Sequence, residues 1–72
     1  MKVIINGTIP TGNNSEREFI DILNVITECQ DAFELRSEIK ALSSVRYVCT
    51  FTNKAMYVHP VNDMSPVLTV KL

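Results

Sequence analysis

The apolar residues of this chain change their spacing once, and that change limits the fold more than any other feature. From Phe19 to Leu42 they recur every three or four positions, the period of a helix face. From Val45 onward they recur every second position, the period of a strand. A chain with one helical stretch and one alternating stretch reads as α+β, with helices segregated to one face of an antiparallel sheet.

The helical stretch contains a break. Phe19, Ile22, Leu23, Ile26, Cys29 and Phe33 form one stripe, widened by Ile20 and Val25. Leu35, Ile39 and Leu42 form another. At about 100° per residue, the second stripe would lie nearly opposite the first on one straight helix. A break near Gln30-Asp31 removes the conflict, and Asp31-x-x-Glu34 supplies a capping signal for the restart. Two helices are therefore expected, roughly 16–30 and 32–43. Ser15-Glu16-Arg17-Glu18 reads as a capping box that opens the first. A strand over 33–39 is the rival for the second helix, disfavoured by its charged, unbranched residues.

The alternating stretch reads as a hairpin, with Asn53-Lys54 as a two-residue turn. That turn sets Phe51 opposite Met56, Thr50 opposite Tyr57, Cys49 opposite Val58 and Val48 opposite His59. One face then carries Tyr47, Cys49, Phe51, Met56 and Val58. The other carries Val48, Thr50, Tyr57 and His59. Pro60 to Pro66 is a loop, and Val67 to Leu72 a last strand with Leu68, Val70 and Leu72 on one side. Near the start, Val3-Ile4-Ile5 is a strand followed by Asn6-Gly7. Two arrangements fit: a tiny hairpin of residues 2–5 and 8–10, or one strand over 2–9 with a bulge at Gly7. The expected order is β-α-α-β-β-β in a single domain of 72 residues. About four mostly antiparallel strands form its sheet, and both helices pack on one face.

Composition narrows the function classes. Apolar residues are 46% of the chain, enough for a core. No run approaches the roughly 18 apolar residues of a membrane span, and the N-terminus does not resemble a signal peptide. The expected compartment is the cytoplasm, where the two Asn-x-Ser/Thr triplets at Asn6 and Asn13 are chance matches. Cys29 and Cys49 are too few for a disulfide framework and read as small buried hydrophobes.

Net charge is −1, but it is unevenly spread. Residues 14–39 hold seven acids and two bases, a net of −5, and the remainder a net of +4. The acidic segment reads mainly as a solvated helix face. The opposing sheet side, with Arg46, Lys54, Lys71, Tyr57 and His59, offers at most weak nucleic-acid binding, which the acidic helices oppose.

Candidate chemistry is sparse. Cys49 and His59 are the one pair that could serve as nucleophile and base. Hairpin alternation sets them on opposite faces, out of hydrogen-bond reach. No Cys-x-x-Cys or His-x-x-x-His spacing suggests a metal, and no cofactor motif occurs. Thr11 to Ser15 precedes a helix start but lacks the lysine and glycine spacing of a phosphate loop. An enzyme is therefore not expected.

Binding is the expected role, on one of two surfaces. Two helices cover one sheet face, leaving the other to expose Val48, Thr50, Tyr57 and His59, with Val67 and part of the first strand. Such a patch suits a protein partner or a second copy of the chain. The alternative is the acidic helical layer, Glu16, Glu18, Asp21 and Glu28, as an inhibitor or nucleic-acid-mimic surface. The chain starts with Met at a strand and contains no linker, as a stand-alone protein would. In general character it is similar to the small accessory proteins of bacteriophages and bacteria. That resemblance covers no motif, and it implies a regulatory binding role with a protein partner.

Overall fold

The computed structural model describes residues 1–7, 9–38 and 42–72. Its elements are β1 (Lys2–Ile5), α1 (Asn13–Glu28), α2 (Ala32–Ser37), β2 (Tyr47–Phe51), β3 (Ala55–Pro60) and β4 (Leu68–Lys71). The strands form one sheet in the order β1-β4-β3-β2, with every neighbouring pair antiparallel. The expected α+β class and element order are found.

The β2–β3 hairpin has the register that its turn demands: Phe51 opposite Met56, Thr50 opposite Tyr57, Cys49 opposite Val58 and Val48 opposite His59. Thr52 holds the turn. Its amide donates to the Ala55 carbonyl at 2.8 Å, and its hydroxyl oxygen accepts from the Ala55 amide at 3.0 Å. A threonine hydroxyl bonding the backbone just ahead is a local turn device. The inward face of the sheet contributes Tyr47, Cys49, Met56, Val58, Leu68 and Val70 to the core. From the helices come Phe19, Ile22, Ile26 and Leu35, joined by Leu42. The Phe19 and Tyr47 rings meet edge to face, with centroids 6.4 Å apart.

Helix α1 begins before Ser15. Gly12 caps it in a conformation with φ 114° and ψ 150°, and no side chain caps the end. Residues with a Cβ rarely adopt that backbone, so the glycine sets the entry of the chain into the helix. The expected Ser15–Glu18 capping box is not formed. Glu18 turns instead to the Arg46 guanidinium, at 2.6 Å. A charge-assisted bond to arginine is stronger than one to a solvated helix amide.

The break falls where the periodicity conflict requires it. Helix α1 ends at Glu28 and Cys29 is extended, with φ −79° and ψ 136°. Asp31 then caps α2, its carboxylate accepting from the Glu34 amide at 2.8 Å. Glu34 reaches back to the Gln30 amide at 2.7 Å. The restart turns the helix. Leu35 is fully buried, whereas Phe33, expected on the first stripe, is 83% exposed. Two positions apart on a helix is roughly 200°, so burying one exposes the other. The far part of the expected second helix includes residues 39–41, outside the described residues.

At the N-terminus, β1 pairs with β4, and the Asn6 amide adds one more bond to the Val67 carbonyl at 2.9 Å. Gly7 has φ 75°. Ile9 and Pro10 belong to no strand, which removes the hairpin over 2–5 and 8–10 and shortens the single-strand alternative. Thr8 lies outside the described residues. Val67, expected on the open face, precedes β4 and packs against the core.

Candidate interaction surfaces

The outer sheet face is read from register. Directly paired residues share a face, so Val48, Thr50, Tyr57 and His59 lie opposite the core side, together with Ile4, Thr69 and Ala55. Lys2 and Lys71, cross-strand partners, form its basic end. No acidic residue falls on these strand positions. Val48 is 38% exposed, Thr50 is exposed, and Tyr57, Ile4 and Thr69 are half-buried. The Thr69 hydroxyl donates to Asn6 Oδ1 at 2.7 Å, tying β4 to β1 across this face.

His59 shares the face but not the exposure expected of it. It is 7% exposed. The end of β3 and the turn after it fold back over its ring, placing the carbonyl oxygens of Pro60 and Asp63 at 2.9 and 3.2 Å from Nδ1. Carbonyl oxygens only accept, so Nδ1 carries a proton. Nε2 lies 3.3 Å from Thr50 Oγ1. The imidazole thus anchors the loop to the sheet. This part of the expected patch is closed, and the open part is Val48, Thr50 and Tyr57.

Cys49 faces the other way. Its Sγ donates to the Leu42 carbonyl at 3.2 Å, and burial pushes the thiol pKa up to about 11. A thiol so raised is a poor nucleophile at neutral pH. Cys29, half-buried, is also raised, first by burial and then by Glu34, Glu38, Glu28 and Asp31. Cys49 and His59 are therefore not brought together. Among the described residues, no three His, Cys, Asp or Glu side chains converge as a metal site would need. No described helix is long and apolar enough to cross a membrane.

The acidic surface is smaller than its sequence suggests. Glu16, Asp21 and Glu28 are exposed. Glu18 is not free: Arg46 holds its carboxyl below the usual carboxylate range, against a smaller opposing effect of burial. Its Oε1 also accepts from the Arg46 amide at 3.3 Å. This pair pins the first turns of α1 to the start of β2. Arg36 does the same for α2, donating to the Thr52 carbonyl at 2.9 Å with its guanidinium 5.2 Å from the Phe51 ring centroid. Nothing in the spacing of these residues marked them as partners, because each pair joins elements that meet only in the folded chain.

An open depression of about 540 Å³ lies where α1 begins and β3 ends, lined by Pro10, Ser15, Arg46, Tyr47 and Val61 among others. Its ionisable groups are Arg46, occupied by Glu18, and Tyr47, whose pKa burial raises. Neither offers a base at neutral pH. Compared with protein-family models, curated proteins and solved structures, the chain matches none.

Proposed function

We propose that this protein is a non-catalytic binding module that engages a protein partner through its outer sheet face, acting in the cytoplasm. One observation carries the reading. Both helices contribute to the core on one side of the sheet, while Val48, Thr50 and Tyr57 remain accessible on the other, on strands with no acid at that face. Exposed apolar and aromatic side chains on a regular scaffold are the usual material of an interface. The general likeness to small accessory proteins supports the same role. Tyr57→Asp should abolish partner capture from the native host while leaving the circular dichroism unchanged. Partner capture that survives this substitution would sink the reading.

A second reading rests on Glu16, Asp21 and Glu28. They are exposed, and the one ion pair among the described residues does not include them. On that reading these carboxylates meet a basic partner or take the place of a phosphate backbone. Partner capture would then weaken with salt and with Asp21→Lys or Glu28→Lys. Weak nucleic-acid binding by the basic end of the sheet is a lesser alternative, testable by titration with single-stranded oligonucleotides.

A further inference from the structure

The two edges of the sheet are finished differently. At the β2 edge, the Thr52–Ala55 bond sets the alternation, so Tyr47, Cys49 and Phe51 turn their backbone groups outward. That edge is bonded at its start. The Ser44 amide donates to the Tyr47 carbonyl at 3.2 Å, and the Tyr47 amide donates to Ser44 Oγ at 3.2 Å. At the far end the Arg36 guanidinium donates to the Thr52 carbonyl and lies 5.2 Å from the Phe51 ring centroid. At the β1 edge, the Asn6–Val67 bond sets the alternation, so Lys2 and Ile4 face β4 while Val3 and Ile5 turn outward. Among the described residues no hydrogen bond closes those outward groups.

The side chains at this edge are also unprotected. Val3 lies opposite Val70 and Ile5 opposite Leu68, both fully buried, so Val3 and Ile5 point to the helical side. Yet Val3 is 37% and Ile5 43% exposed, and Met1, next on the same side, is 47% exposed. The helical layer stops short of β1. Natural sheets usually blunt an open edge with charge or cover. The one charge on this strand, Lys2, lies on the opposite face.

We propose that β1 pairs antiparallel with β1 of a second copy, about a two-fold axis at Ile4, joining two sheets into one of eight strands. In this register Val3 of each copy meets Ile5 of the other, and their outward amides and carbonyls satisfy one another. Lys2 meets the partner copy's Asn6, so no like charges are opposed. The neighbouring flank of α1 fits the same symmetry. Glu18 is held toward β2 by Arg46; Ile20, roughly 200° further round the helix, faces the β1 side. Leu23, Asn24 and Thr27 continue that flank without charge towards the helix end, and Glu16 stands one turn before Ile20 at its start. The uncharged part of this flank, from Ile20 onward, is where an acidic helix can come near its own copy. Isologous pairing of this kind closes on itself and leaves no open edge at β1. It is independent of the outer-face reading, because Tyr57 does not take part.

Sedimentation of the full chain, combined with hydrogen exchange of its amides, tests the pairing. The wild type should sediment as a dimer with the Val3 and Ile5 amides slow to exchange. Ile5→Lys and Val3→Lys, at exposed positions, should halve the mass, speed exchange at both amides and preserve the circular dichroism. Tyr57→Asp should leave the dimer intact. A wild type that is monomeric at all concentrations overturns the proposal, as does a dimer whose Val3 and Ile5 amides exchange freely. A monomer that instead takes an added extended apolar peptide at β1 also overturns it.

Discussion

Gly12 and Cys49 show how much a single position can decide. A Cβ added at Gly12 would meet nothing within 4 Å, so Gly12→Ala tests backbone strain alone. With φ at 114°, it should destabilise the fold by about 1–3 kcal/mol, read from the urea midpoint. Ser15→Ala should cost far less, because α1 starts without a Ser15 cap. Cys49 reports the core. Its thiol is buried and its pKa raised to about 11, so alkylation at pH 8 should proceed only through unfolding. The labelling rate of Cys49 should therefore track global unfolding as urea is added, with Cys29 reacting ahead of it. Cys49 labelling that is fast in the absence of denaturant would contradict this burial.

At the level of elements, the hairpin was legible because a two-residue turn and strict alternation leave one register. The helix break was legible because two apolar stripes of opposite phase cannot share one core. The start of α1 was misread. Ser15-x-x-Glu18 satisfies the capping pattern locally, but a distant arginine outcompetes the local amide. The same ion pair makes stability depend on pH. The carboxyl of Glu18 titrates below its ordinary value when folded. Its contribution is therefore complete above the unfolded value of about 4.3 and is lost as pH falls through the folded value. Glu18→Gln should be less stable than wild type at neutral pH, with the gap closing in acid. A gap that stayed constant across that range would rule out the ion pair as its source. The pair is partly exposed to solvent, so the effect should also shrink in high salt.

The molecule as a whole is two-sided: an acidic helical layer on one face and an acid-free sheet on the other. The overall charge of −1 conceals this. A domain of this size buries a thin core, and two copies joined at β1 would share the cost of their exposed Val3 and Ile5. The thermal midpoint should therefore rise with protein concentration, by mass action on the folded dimer. For Ile5→Lys it should be independent of concentration. A wild-type midpoint that stays flat over a wide range would argue against association.

Local pattern was sufficient for the class, the element order, the hairpin register and the core face of the last three strands. These depend on periodicity and turn chemistry, which neighbouring residues carry. Strand order and loop packing depended on contacts between residues far apart in the chain. Val3-Ile4-Ile5 is a continuous apolar run, the pattern of a strand buried on both faces, yet it lies at the edge beside β4. His59 alternates outward as expected, yet it is closed off by the carbonyls of Pro60, at the end of β3, and Asp63, in the turn beyond. Alternation assigns a side chain to a face, but only the path of the rest of the chain determines whether that face stays open.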